Sequence, residues 1–149
     1  MDDPKIQKRI YTVFLMKVCR RAHFNSAHRL YRPDWSDDKN NEVFGKCNNP
    51  NFHGHNYQLE VWVEGEIDPE TGFVIDLKIL KDIIKNEILE RFDHRNLNLD
   101  CSEFKDLNPT AENIAVVCYD LLRAKLHEKY EISLKLWETE NNLVEYNGR

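Results

Sequence analysis

Along residues 53–63 the odd positions carry His53, His55, Tyr57, Leu59, Val61 and Val63, while Gln58, Glu60 and Glu64 occupy even ones. A period of two is the signature of a half-buried strand, so both histidines lie on its apolar side. Residues 18–24 predict an earlier strand, and the Asp-, Asn- and Lys-rich residues 34–51 predict a loop that carries Cys47. The segment Asp68-Pro69-Glu70-Thr71-Gly72 has the chemistry of a turn, which makes residues 73–75 a return strand in a hairpin.

The period then changes. Leu77, Leu80, Ile84 and Ile88 recur at helical spacing and Phe92 extends the stripe, predicting a helix over about residues 77–91, with Asp93-His94 just past its end. Asn108 before Pro109 reads as a helix N-cap with proline in the first turn, and Ile114, Val117, Cys118, Leu121 and Leu122 supply an apolar face ending near His127. Ile132, Leu134, Leu136 and Glu138 share one parity of a further strand, and Asn141-Asn142 turns into a short closing strand through Leu143, Val144 and Tyr146. The order strand, strand, strand, helix, helix, strand, strand is α+β, with antiparallel strands carrying two helices on one face. The other face of such a sheet needs cover, which other subunits could provide.

Composition narrows the class. At 149 residues, 41% hydrophobic and 32% charged, the chain has the size of one domain, taken as 1–149, with residues 1–15 before the first strand as an N-terminal extension. Its longest apolar runs are about six residues, against the roughly 18–20 that a membrane helix requires. The N-terminus shows no secretory signal, so cytoplasmic residence is expected. A net charge of −5 without a Lys/Arg run argues against nucleic acid as partner and for a small-molecule substrate. Cys19, Cys47, Cys101 and Cys118 lack the density of a disulfide scaffold and are read as free thiols, with Cys19 and Cys118 as inert core residues on apolar faces.

Candidate chemistry starts at His53-Gly54-His55. Residues two apart on a strand point the same way, so two imidazoles can reach one metal while the intervening glycine leaves room. A catalytic zinc with an open position needs a third, for which His28 is the nearest donor and His23 and His94 compete. Glu138 is a carboxylate where the strand parity calls for an apolar residue, a costly placement unless it is paired.

The context of these residues carries a resemblance. Phe24-Asn25-Ser26-Ala27-His28-Arg29-Leu30, Gly45-Lys46-Cys47-Asn48-Asn49-Pro50 through His53-Gly54-His55-Asn56-Tyr57, Asp93-His94-Arg95-Asn96-Leu97 and Glu138-Thr139-Glu140-Asn141-Asn142 together resemble the 6-pyruvoyltetrahydropterin synthase family, over about residues 21–148. The resemblance implies a tunnelling fold, an antiparallel four-stranded sheet with two helices on one face that oligomerises into a barrel. Its trimers would stack into a homohexamer with pterin sites at subunit boundaries.

The resemblance also implies roles. It maps Zn2+ ligation onto His28, His53 and His55, proton transfer onto Cys47, Asp93 and His94, and the pterin anchor onto Glu138. A thiolate is favoured beside a dication, a histidine passes protons near neutral pH, and a carboxylate matches the two N–H donors of an amino-pyrimidine edge. Thr110 and Glu112 are carried over as substrate-binding residues, although helix capping explains them equally well and Ala111 replaces the threonine usual between them. Lys46, Arg29 and Arg95 are candidates for phosphate contact.

The implied substrate is 7,8-dihydroneopterin triphosphate, converted to 6-pyruvoyltetrahydropterin with loss of triphosphate. The rival within the superfamily is 6-carboxytetrahydropterin synthase of queuosine biosynthesis, which releases acetaldehyde from the same substrate. Five residues separate Cys47 from His53, as in the animal-type enzymes, where the queuosine-type pattern usually has three. A silent pterin-binding module is disfavoured by the complete set of Cys47, Asp93, His94 and the three histidines, and a purely structural zinc by the lack of a fourth protein ligand.

Overall fold

The structure, a computed structural model, describes residues 13–149. Two 14-residue strands dominate it: β1 (Leu15–His28) and β2 (His53–Glu66) pair antiparallel from Leu15 opposite Glu66 to His28 opposite His53. Between them lie helix α1 (Asp37–Phe44) and a 3₁₀ turn (Gly45–Asn48) that carries Cys47. After β2, helix α2 (Leu77–Ile84) runs through a π turn (Lys85–Leu89) into α3 (Glu90–Phe92). Next come β3 (Arg95–Asn96), α4 (Leu97–Asp100), α5 (Ala111–Arg123), β4 (Glu131–Trp137) and β5 (Leu143–Tyr146).

The sheet has five strands in the order β3-β1-β2-β4-β5 and is mixed, because β3 runs parallel to β1. This corrects the expectation of an antiparallel four-stranded sheet. Residues 73–75 form no strand: the Asp68 carboxylate takes the N–H groups of Glu70 and Thr71, and the Asp76 side chain caps α2 immediately afterwards through the N–H of Lys78. The helix cap claims the chain before a return strand can extend.

Other boundaries move as well. Residues 1–12 of the expected extension lie outside the described residues, whereas Leu15 and Met16 belong to β1, opposite Glu66 and Gly65. The stretch read as a loop holds α1 because Ser36 caps it, accepting from the N–H of Lys39, with Asp37 and Asp38 in the favourable first turn. Helix α5 is capped by Thr110 rather than Asn108, since the Thr110 hydroxyl accepts from the Asn113 N–H at 3.2 Å, and it ends at Arg123 rather than near His127. There the Arg123 guanidinium gathers the carbonyls of Leu126, His127 and Tyr130, closing the turn before another helical residue can add.

One face of the sheet carries the core. Phe24, Tyr57, Leu59, Val61, Val63, Leu134 and Leu136 meet Leu80, Ile84, Ile88 and Phe92 from the first helical run and Ile114, Cys118 and Leu122 from α5. The opposite face is polar, with Arg21 on Glu60 at 2.9 Å, the Trp62 indole N–H on the same carboxylate at 3.0 Å, and Lys17 on Glu64 at 3.2 Å. Cys19 pairs across the strands with Trp62 on this polar side, so it is not the core residue expected; Cys118 is fully buried and its thiol is pushed up to about 12 by desolvation.

Phe24 stacks on Tyr57 with ring centroids 5.0 Å apart and sits 6.2 Å from Phe92, joining both long strands to the helix that ends at Asp93. Phe24→Ala is expected to cost about 3–5 kcal/mol in denaturant titrations, a large-to-small change at a site with no exposure.

Candidate active site

His28 closes β1 and His53 opens β2, so antiparallel pairing sets them opposite each other, and His55 follows two residues on along the same face. The three rings converge, with centroids 4.5 Å (His28 to His53), 5.0 Å (His28 to His55) and 4.9 Å (His53 to His55) apart. One ring nitrogen from each lies within 4.8 Å of the others, the spacing of a metal-ligand set. The competing candidates are excluded by placement: His23 has the parity of the polar face, and His94 is 78% exposed and turned to Asp93. Gly54 is not needed to make room, because a Cβ there would meet only the Ser26 carbonyl at 3.5 Å.

The hydrogen bonds of His28 define its tautomer. Its Nδ1 lies 2.7 Å from the Pro109 carbonyl, which can only accept, so the ring proton sits on Nδ1 and the lone pair on Nε2. That Nε2 and Nδ1 of His53 are buried with no hydrogen-bond partner. Two orphaned buried nitrogens in a converging trio of imidazoles fit a bound cation, since buried polar atoms without a partner are costly. Burial pushes the His28 pKa down to about 4 and that of His53 in the same direction, so His28 is neutral and ready to ligate at physiological pH.

Glu138 stands one residue beyond β4 and brings Oε1 to 3.6 Å from Nε2 of His28 and 3.7 Å from Nε2 of His55. The unexpected parity of this carboxylate is thus resolved by its meeting the histidines. A cavity beside it is lined by His55, Gln58, Trp137 and Thr139.

Two contacts of the cluster lay beyond sequence reasoning. Tyr57, fully buried with its pKa driven up by desolvation, holds its hydroxyl 3.3 Å from Nδ1 of His28, and Pro109 contributes its carbonyl from 81 residues away. The parity of Tyr57 was visible, but no local signal announces the Pro109 contact.

Cys47 is half-buried on its 3₁₀ turn, whose Cys47 carbonyl accepts from the Leu30 N–H at 2.8 Å. Asp93 and His94 directly follow α3. The Asn25 N–H at 2.9 Å, followed by His94 at 3.1 Å, holds the Asp93 carboxyl below its usual range. His94 adopts φ 58°, left-handed for a side-chain-bearing residue, and donates its own N–H to the Asn25 carbonyl at 2.7 Å. Among the described residues neither Asp93 nor His94 hydrogen-bonds to Cys47 or to the three histidines. Thr110 and Glu112 start α5 beside Pro109, with the Thr110 hydroxyl spent on its cap.

Comparison with known proteins places this geometry. The profile of 6-pyruvoyl tetrahydropterin synthase matches residues 17–149. The chain is 46% identical over 132 residues to 6-pyruvoyl tetrahydrobiopterin synthase of Homo sapiens, covering 89% of this chain and 91% of that one. It is 33% identical over 149 residues to 6-carboxy-5,6,7,8-tetrahydropterin synthase of Rickettsia conorii, covering 88% and 99%. The solved structure of Caenorhabditis elegans 6-pyruvoyl tetrahydropterin synthase superposes with a TM-score of 0.87 at 37% identity, over 93% of this chain and 99% of that one. A converging histidine trio at the end of a long hairpin, in a chain related this closely over nearly all its length, makes this protein a member of the 6-pyruvoyl tetrahydropterin synthase family.

Proposed function

We propose that this chain is a zinc-dependent lyase that converts 7,8-dihydroneopterin triphosphate to 6-pyruvoyltetrahydropterin with elimination of triphosphate. The observation that carries the reading is the convergence of His28, His53 and His55, one ring nitrogen of each within 4.8 Å of the others, in a cluster where Nε2 of His28 and Nδ1 of His53 are buried without a hydrogen-bond partner. In this reading His28, His53 and His55 hold Zn2+, which supplies Lewis-acid polarisation of the substrate side-chain oxygens and so acidifies the adjoining C–H bonds.

The protein groups do the rest. Cys47 Sγ, as thiolate, takes a proton from the side-chain carbon, and His94, oriented by Asp93 at 3.1 Å, passes protons to and from the same side chain. The Glu138 carboxylate accepts the amino-pyrimidine N–H groups and sets the ring's register beside the histidines. Thr110 and Glu112, flanking the turn whose Pro109 carbonyl touches His28, belong to the rim of the pterin pocket. The chain acts as one domain in a cytoplasmic homohexamer, two stacked trimers whose sheets close into a barrel over the polar face.

The 78% exposure of His94, which makes no hydrogen bond to Cys47 among the described residues, supports a site completed across a subunit boundary, with Asp93 and His94 coming from a second copy. The second reading, 6-carboxytetrahydropterin synthase, is favoured by the Rickettsia relative. The five residues between Cys47 and His53 favour the pyruvoyl product.

Incubation of the zinc-loaded protein with 7,8-dihydroneopterin triphosphate is expected to give 6-pyruvoyltetrahydropterin by mass spectrometry; acetaldehyde in its place assigns the carboxy reaction. Cys47→Ala should keep its zinc by elemental analysis and lose about 10²–10⁴-fold in kcat, the scale of a removed general base. Mixing refolded Cys47→Ala and His94→Ala chains should restore about a quarter of wild-type activity if the two groups come from different subunits, and none if they act within one chain.

A pH effect follows for the metal-free protein. The folded His28 pKa of about 4 lies below the unfolded value of about 6.5, so the unfolded chain binds more protons between them. The thermal midpoint of the chelator-treated protein should therefore fall as pH drops from about 6.5 to about 4, and the His28→Gln variant should lose part of that slope.

A further inference from the structure

The 3₁₀ turn bearing Cys47 hangs from the two residues that follow His28 at the end of β1. Leu30 donates its N–H to the Cys47 carbonyl at 2.8 Å. Arg29 donates Nε–H to the Asn48 carbonyl at 2.9 Å and to the Asn48 Oδ1 at 3.1 Å. Asn48 is itself buried, and its side-chain amide is anchored on Asn41 Oδ1 at 2.7 Å. Arg29 is fixed from both sides: the Asn98 amide clasps its N–H at 2.8 Å and its carbonyl at 2.9 Å, and the guanidinium lies 4.1 Å over the Tyr31 ring.

We infer that Arg29 is a positioning residue that sets Cys47 relative to the histidine cluster, through the fork of its Nε–H onto Asn48. The inference rests on the reading of Cys47 as the proton-accepting thiolate. The β1–β2 ladder ends at His28 and His53, so no sheet hydrogen bonds reach the Cys47 turn. Its place is held by the Leu30 and Arg29 bonds, two residues and one residue from His28 of the histidine cluster. The Leu30 backbone bond survives any substitution except proline, whereas the Arg29 fork depends on its side chain; losing it leaves the Asn48 carbonyl and Oδ1 without that donor and lets the turn drift. Displacement of a reacting group by about 1 Å is enough to cost about 100-fold in rate.

The terminal amino groups of Arg29 make no hydrogen bond or ion pair among the described residues, which leaves contact with the substrate triphosphate as the competing role. Two substitutions separate the roles. Arg29→Met keeps the aliphatic stem against Tyr31 and has no donor, whereas Arg29→Gln presents a neutral amide N–H close to the place of Nε. Positioning predicts that Arg29→Met retains zinc and KM within about twofold, while kcat falls by about 10- to 100-fold. It also predicts that alkylation of Cys47 by iodoacetamide, followed on its own peptide by mass, slows by about threefold or more. Arg29→Gln should recover most of both losses.

A KM raised by about tenfold in both variants, with kcat and Cys47 alkylation unchanged, overturns the inference in favour of phosphate contact. So does an Arg29→Met enzyme that behaves as wild type. Should Arg29→Met fail to fold by circular dichroism, Arg29→Gln decides alone: near-wild-type kcat without the charge supports positioning, and a fallen kcat with unchanged Cys47 alkylation overturns it. The Cys47→Ala enzyme distinguishes the two failures. If it stays active the thiolate reading falls, and if it is inactive while Arg29→Met keeps full kcat, the Arg29 inference alone falls.

Discussion

The register of one antiparallel pair governs this molecule. With Leu15 opposite Glu66, the ladder between β1 and β2 must end with His28 opposite His53, and the strand period carries His55 to the same face. A slip of one residue would send His28 and Phe24 to the polar side while Tyr57 stayed in the core, breaking the Phe24–Tyr57 stack as well as the histidine cluster. Fold stability and site geometry therefore rest on the same contacts, and the apolar half of the hairpin holds the register that its histidine end needs.

The chemistry sits where that ladder runs out. Beyond His28 and His53 the ladder gives way to single bonds from side chains and distant carbonyls: Asn98 clasps Arg29, the Pro109 carbonyl accepts from the His28 ring, and Arg29 donates to the turn of Cys47. Among the described residues the two outside glycine with positive φ, Phe52 and His94, flank this region, each beside a residue of the candidate site. Conformations of that kind persist only where neighbouring bonds hold them, and here the Phe52 N–H is bound to Asn49 and the His94 N–H to Asn25. The site is thus made of non-repeating backbone pinned onto a rigid hairpin.

Burial arranges the charges around it. Burial lowers the pKa of His28 and His53, which suits a cation, while Glu138 adds a carboxylate against His28 and His55 and Asp93 is held below its usual range by the Asn25 N–H. The opposite face of the sheet is paired in ion pairs across neighbouring strands, such as Arg21 with Glu60 and Lys17 with Glu64.

Periodicity alone determined the α+β class, the two long strands, the apolar faces of the helices from Leu77 and from Ala111, and the shared side of His53 and His55, because strand and helix periods are local consequences of backbone geometry. The motifs from Phe24 to Leu30 and from Gly45 to Tyr57 were enough to name the family. Helix α1 was hidden because its residues are mostly polar and only its Ser36 cap marks it; the hairpin expected at residues 73–75 was lost because Asp76 starts a helix there. Tertiary structure decided which histidine joins the pair, the tautomer of His28 through a carbonyl 81 residues away, the meeting of Glu138 with the cluster and the two-residue strand β3. Those depend on contacts between segments far apart in the chain, and no local spacing records which distant atom a side chain will face.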